Sequence, residues 1–303
     1  MRIGLGAPVA GAWATAENLA ELGSGAERLG YDSLWTFQRL LVPDGTPMDP
    51  VYQSVLDPMV ALGYLAAVTS RIRLAVAVIN LPFVTPLYLA KQAATVDVVS
   101  GGRLDLGLGI GWLPEEFTAS GATTARRGAR TEEYLTVLRR LWEGHNDAFH
   151  GSFYEIPAGR QAPAPVQRPG PPILLGGMSA PAMDRAARVA DGWVTSSRTD
   201  LRGMAEAAAL IQDKAAAAGR GPLRIICRGV VRAGAPEVDR RTGERLLLSG
   251  DFDQIRADTE WLGEHGVTEL FYDLNWDPAV GSPAIEPKAA TERAVEIMEG
   301  LAP

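Results

Sequence analysis

The sequence predicts an α/β fold, a (β/α)8 barrel of the TIM type, and three observations carry that reading. Short aliphatic or β-branched runs alternate with longer amphipathic segments, as parallel strands joined by helical crossovers require. Eight strand-like runs can be counted, which permits closure into a barrel. The 303 residues also suit such a barrel, which fills about 250 residues or more as one domain. One domain over residues 1–303 is therefore expected, with irregular insertions at about 144–172 and 234–250.

The strands are expected at residues 2–5, 33–35, 72–79, 104–109, 173–175, 192–195, 223–231 and 269–274. The helices between them are expected at 16–29, 58–69, 86–99, 127–142, 181–190, 201–218, 252–265 and 287–301. In Asp57-Pro58 and Thr85-Pro86 a capping residue stands directly before a proline at the first helical position, and Ser179 is placed to cap the helix containing Pro181. Between Gly144 and Pro172 the pattern breaks into six prolines and two histidines. So long an irregular connection is expected to cover or edge a site. The stretch 234–250 separates the seventh strand from its helix and reads as a mobile lid.

Composition narrows the functional classes. A hydrophobic content of 47% with 21% charged residues describes an ordinary globular chain. The net charge of -7 disfavours nucleic acid as partner, because phosphate binding needs a clustered positive field. No run of 18 apolar residues suggests a membrane span, and the chain passes from Met1 directly into a strand-like stretch rather than a signal segment. The lone Cys227 rules out an internal disulfide and a cysteine-rich metal site; a buried structural thiol and a cytoplasmic location are expected. Three of the 29 basic residues are lysines, a bias that, with abundant alanine, suggests a GC-rich bacterial genome.

In a barrel of this type, functional groups lie in the loops after the strands. The strand ends here are Gly6-Ala7-Pro8, Trp35-Thr36-Phe37-Gln38-Arg39, Ala77-Val78-Ile79-Asn80, Gly109-Ile110-Gly111-Trp112, Gly176-Gly177-Met178-Ser179, Thr195-Ser196-Ser197-Arg198, Val231-Arg232-Ala233-Gly234 and Asp273-Leu274-Asn275-Trp276. They are small, apolar or aromatic far more than ionisable. A Schiff-base aldolase needs a strand lysine, but Lys91, Lys214 and Lys288 fall in helical segments. A metal hydrolase needs clustered ligands, whereas His145, His150 and His265 lie away from strand ends, so no metal is expected. Paired-carboxylate glycoside hydrolysis stays open through Asp273 and the Glu115-Glu116 pair. A cofactor carrying its own reactivity explains the scarcity of acids and bases.

The most specific motif is Gly-Gly-Arg-Leu-Asp-Leu-Gly-Leu-Gly-Ile-Gly-Trp at 101–112. Alone, its glycines could serve only a tight strand and turn. It fails as a dinucleotide fingerprint because no helix opens directly after it. Together with Ala-Glu-Arg-Leu-Gly-Tyr-Asp-Ser-Leu-Trp at 26–35 and Ala-Arg-Val-Ala-Asp-Gly-Trp at 187–193, it resembles the bacterial luciferase-like monooxygenases and their deazaflavin-dependent branch. The likeness runs from the first strand through the sixth and weakens after about residue 235.

The resemblance implies a coenzyme ring in the barrel mouth, against a bulge and a non-proline cis peptide that would fall at Ala77-Val78, with Asn80, Ile110 and Gly111 beside it. It implies a phosphate cradle after strands five and six. Gly176 and Gly177 suit close backbone approach at a helix N-terminus, and Ser196, Ser197 and Arg198 can donate hydrogen bonds. Trp35, Gln38, Arg39 and Trp112 fall near the reactive face, although Trp35 reads equally well as core. Several deazaflavin relatives carry an acid and a histidine near the Gln38-Arg39 position and a glutamate near Trp112; those departures argue against a sugar-phosphate dehydrogenase. Tyr52 and Glu116 are proton-donor candidates, each with a solvated surface role as the alternative. The expected function is hydride transfer between coenzyme F420 and a small, fairly apolar organic substrate. The alternatives are a reduced-FMN monooxygenase using oxygen and a noncatalytic flavin-binding barrel. The resemblance further implies a homodimer.

Overall fold

In a computed structural model that describes residues 1–239 and 242–303, eight parallel strands close into a barrel. They are β1 (Arg2–Gly6), β2 (Ser33–Thr36), β3 (Arg73–Asn80), β4 (Leu104–Gly109), β5 (Ile173–Gly176), β6 (Gly192–Val194), β7 (Arg224–Val230) and β8 (Glu269–Asp273). Each pairs with its sequence neighbours, and β1 closes against β8 in the register Arg2 to Glu269. The helices are α1 (Ala16–Leu29), α2 (Pro58–Val68), α3 (Pro86–Ser100), α4 (Pro114–Ala119), α5 (Arg127–Glu143), α6 (Ala180–Val189), α7 (Met204–Ala217), α8 (Phe252–Glu264) and α9 (Pro287–Gly300). None among the described residues is long and apolar enough to cross a membrane.

Local chemistry sets these boundaries. The side chains of Asp57 and Thr85 accept hydrogen bonds from Val60 N at 3.0 Å and Tyr88 N at 3.3 Å, satisfying amides that have no partner within the first turn. Ser179 occupies the N-cap position of α6 but makes no capping bond, and the helix opens at Ala180. The helix expected at 201–218 is divided into a 3-10 turn at Leu201–Gly203 followed by α7. The short α4, too brief to show a period, falls where only loop is expected.

The connection 144–172 holds a two-stranded hairpin, Phe149–His150 against Glu155–Ile156. Glu133 of α5 accepts from the amides of Ser152, Phe153 and Tyr154 at 2.7 to 2.8 Å and fastens it to the outside. Further along, Gln167 bonds Asp97 and the Leu104 carbonyl at the start of β4. The excursion's hairpin climbs the outside of α5 back to the strand-end side, where Phe153 lies against Arg126 and Arg130 and Tyr154 borders a small cavity with Phe83 and Thr85 just after β3. Topology fixes the two ends of the excursion: it joins a helix to the next strand, so Gly144 and Pro172 lie opposite the strand-to-helix loops.

The 234–250 segment does lie after a strand. Its base is tied to α8, where Asp258 receives both Arg245 (2.8 and 2.6 Å) and Leu248 N (2.7 Å). Arg240 and Arg241, at the centre of the expected lid, lie outside the described residues.

Inside the barrel, Asp105 is fully buried yet meets Arg73 at 2.6 Å and Arg224 at 2.9 Å, while Glu269 receives Arg224 at 2.9 Å and Ser33 Oγ at 2.7 Å. Buried carboxylates persist only with such compensation. Burial alone would raise the Asp105 pKa, but the hydrogen bonds from Arg73 and Arg224 hold it below the usual carboxylate range. Above this layer Trp35 stacks on Phe271, with ring centroids 4.6 Å apart and planes 9° from parallel.

Candidate active site

The glycine-rich signature is explained by what β3 does. Between Val76 and Ile79 the β3–β4 register shifts, and the Ala77-Val78 peptide within this bulge is cis. The bulge presses β3 against β4. A Cβ on Gly107 would stand 1.9 Å from the Val76 carbonyl oxygen, and one on Gly109 2.6 Å from Val78 Cγ2. Only glycine fits at either position, so the alternating glycines of β4 are the counterpart of the bulge.

A cavity of about 230 Å³ opens over the C-terminal ends of the strands at this point. Ala77 and Val78 of the bulge and Val194 of β6 give it an apolar wall, with Ile110 and Gly111 from the β4 loop beside them. Adjoining these, Gly176, Gly177, Ser196 and Ser197 form an arc at the ends of β5 and β6. The arc faces the start of α6, whose positive dipole end favours an anion. Gly177 has φ +118°, and an added Cβ would meet Ala182 at 2.8 Å. Gly176 has no such restriction; its nearest neighbour to an added Cβ is Val78 Cγ1 at 3.4 Å.

The polar groups of the rim are cross-linked. Gln38 Oε1 accepts from Asn80 N at 2.9 Å, and Asn80 Oδ1 accepts from Gly111 N at 3.1 Å, joining the ends of β2, β3 and β4. Arg39 lies between two aromatic faces, 4.5 Å from the Tyr52 ring centre and 4.9 Å from that of Trp112. Glu116 Oε2 stands 2.9 Å from Arg39 Nη1, while its Oε1 accepts from Leu40 N at 2.8 Å. Its buried carboxylate thus fixes the loop after β2.

The structure brings Tyr52, Gln38, Arg39, Trp112, Ala77, Val78, Asn80, Ile110, Gly111, Gly176, Gly177, Ser196 and Ser197 together around the one cavity. Arg198 borders a neighbouring cavity, 3.6 Å from Asp49. Trp35 does not reach the site: only 1% exposed, it donates through Nε1 to Ser33 Oγ at 2.7 Å and belongs to the barrel core. Glu116 is likewise absent from the lining and, contrary to a solvated role, is committed to Arg39 and Leu40. Asp273 is held by Arg228 and Asn275, so with Glu116 paired elsewhere, no carboxylate couple suited to glycoside hydrolysis faces the cavity among the described residues.

Sequence reasoning passed over Arg228 and names Phe37 only as a strand-end residue; both line the cavity. Arg228 Nε donates to Asp273 Oδ2 at 2.6 Å, and its guanidinium lies 4.1 Å from the Trp276 ring centre. A signal for it exists: a charged side chain within the apolar run of β7 must have a buried partner. Cys227 beside it is structural, its thiol pushed up to about 12 by burial despite a hydrogen bond with Thr195. Among the described residues, the lining contains no carboxylate, histidine, lysine or cysteine, and no group of three or more metal-ligating side chains occurs anywhere.

The family model for luciferase-like monooxygenases matches residues 2–276. The chain belongs to that family. It is 40% identical over 182 residues to an uncharacterized protein of Mycobacterium tuberculosis, a match covering 59% of this chain and 63% of that relative's length. It is 33% identical over 254 residues to an FMNH2-dependent dimethylsulfone monooxygenase of Pseudomonas putida, covering 83% of this chain and 68% of the other. Among solved structures, the F420-dependent tetrahydromethanopterin reductase of Methanopyrus kandleri superposes with a TM-score of 0.77 over 100% of this chain and 98% of that one, at 17% identity. That identity makes it a likeness of fold.

Proposed function

We propose that the protein is an oxidoreductase that moves a hydride between coenzyme F420 and a small, fairly apolar organic molecule. The observation that carries the reading is the lining itself: an apolar wall and hydrogen-bond donors, with no general base among the described residues. Such a site needs a reagent from outside the polypeptide, and a bound deazaflavin would supply the two-electron chemistry. The residues fit that group. Gly109 and Gly176 leave backbone that side chains would otherwise cover, Val78 and Ile110 offer an apolar surface for a ring, and the Gly176–Gly177 turn with Ser196 and Ser197 offers donors for a phosphate, with Arg198 at the adjoining cavity.

The chain's own residues would then bind, orient and move protons. Glu116 fixes Arg39 and the loop after β2, which also carries Tyr52 to the cavity edge. The Tyr52 hydroxyl is the one neutral ionisable group in the lining among the described residues, and it is assigned the proton at the substrate. A reduced-FMN monooxygenase is the second reading, favoured by the identity to the Pseudomonas putida enzyme. A homodimer would use α2 and α3: α2 has no charged residue, and Val60, Tyr64 and Tyr88 stand exposed.

The experiment is turnover of an enone panel with reduced F420, followed by its absorbance with and without oxygen. Substrate reduction independent of oxygen is expected. Oxygen uptake with reduced FMN alone selects the monooxygenase, and coenzyme binding without any turnover selects the noncatalytic barrel.

A further inference from the structure

We propose that Gln38 and Asn80 form a clamp for one neutral acceptor oxygen, a carbonyl carried by the coenzyme ring or by the substrate. The proposal rests on reading this cavity as the reaction site.

The orientation of both amides is dictated by chemistry. Gln38 Oε1 and Asn80 Oδ1 each face a backbone N–H, from Asn80 and Gly111 respectively. A backbone N–H requires an oxygen opposite it, so each carboxamide must turn its NH2 the other way. Gln38 Nε2 and Asn80 Nδ2 have no protein acceptor among the described residues, and both side chains line the same cavity. In the open site these donors can be hydrated. Once a ligand expels that water they need an acceptor, because buried unmatched donors oppose binding.

The charge balance indicates which acceptor. Arg39 and Arg228, the two cations in the lining among the described residues, each have a carboxylate outside it, Glu116 at 2.9 Å and Asp273 at 2.6 Å. Their charges are therefore compensated before any ligand arrives. An anion gains little at this side of the cavity, whereas a carbonyl oxygen matches two neutral donors without bringing uncompensated charge. An occupant presenting only an N–H there would meet donor against donor. The clamp thus selects for an oxygen acceptor at one defined place on an otherwise apolar ligand.

The test uses Gln38→Glu and Asn80→Asp, which retain an oxygen for the backbone N–H and replace the free NH2 by an acceptor. Calorimetric titration with F420 and with FMN is combined with side-chain amide NMR of the 15N-labelled wild-type protein, titrated with coenzyme and separately with cyclohex-2-enone. If the oxygen is the coenzyme's, each variant binds coenzyme at least roughly tenfold more weakly, and coenzyme moves the wild-type Gln38 and Asn80 NH2 signals. If it is the substrate's, coenzyme affinity is unchanged, cyclohexenone moves those signals, and its binding is lost in both variants. Wild-type protein that binds neither coenzyme but shows the cyclohexenone shifts retains the clamp and defeats the proposed function. Signals unmoved by coenzyme and by cyclohexenone overturn the clamp, whether or not the variants fold.

Discussion

Arg228 Nε stands 2.6 Å from Asp273 Oδ2 where β7 and β8 meet the cavity, so a guanidinium lines the site with its charge already compensated. Asp273 also accepts from Asn275 N at 3.1 Å and Asn275 Nδ2 at 2.9 Å, and Asn275 in turn donates to the Ala7 carbonyl beyond β1. The pair therefore ties the barrel's last seam while Arg228 faces the site. Asp273→Asn leaves a buried cation without its anion, and a loss of about 3 kcal/mol in unfolding free energy is expected from such a break. Urea denaturation measures it, and the double variant Arg228→Met with Asp273→Asn should lose less than the two single changes added.

Gly176 offers a cleaner probe of the phosphate cradle than Gly177. At Gly177 any side chain is strained by φ +118° and contacts Ala182, so loss of binding there would mix loop distortion with charge. Gly176→Asp brings a carboxylate to the same arc with ordinary backbone geometry. Coenzyme affinity should fall at least roughly tenfold through like-charge repulsion and lost hydrogen bonds, with circular dichroism unchanged. Wild-type affinity in a folded variant would place the phosphate elsewhere.

Tyr52 packs edge-on against Trp276, with ring centroids 5.7 Å apart, and beneath the Arg39 guanidinium. Tyr52→Phe retains those ring contacts and removes only the hydroxyl. Turnover of a carbonyl or enone substrate should fall by about a hundredfold, with coenzyme affinity within twofold of wild type, as judged from single-turnover rates and titration. Undiminished turnover would remove Tyr52 from the proton path.

Acid should attack the barrel through Asp105. Its pKa is lowered in the folded protein, so its stabilising contribution is complete above the unfolded carboxylate value near about 4 and is lost as pH falls through the lower folded value. Unfolding free energy should therefore decline as pH is taken below about 4. Asp105→Asn, which leaves Arg73 and Arg224 short of an anion, should be less stable at neutral pH by about 3 to 5 kcal/mol and should show a smaller further loss on acidification. Parallel slopes for the two proteins would show that another carboxylate governs acid unfolding.

Much of this architecture could be read from the chain because its eight strands are short apolar runs separated by amphipathic helices, a pattern that survives without tertiary information. The strand-end positions followed from those runs, which is why Gln38, Asn80, Ile110 and Gly176 fall at the cavity. Trp35 was ambiguous because the inner face of β2 leads both to the core and to the site, and only its stack on Phe271 separates the two. Glu116 was misplaced because α4 is too short to show which face is buried. Arg228 needed the register of β7 against β8 to find its partner. The course of the 144–172 excursion is not legible in the sequence, because helix-to-strand order fixes only its two ends, while its hairpin climbs beside α5 to residues just after β3.

Equilibrium binding of coenzyme to the purified protein tests the account most directly. F420 and FMN, oxidised and reduced, are titrated against wild type and Gly176→Asp by calorimetry. The account predicts saturable 1:1 binding of F420 to wild type, tighter than FMN by at least roughly tenfold, and a marked loss of affinity in the variant. Failure of all four forms to bind the folded wild-type protein would contradict it.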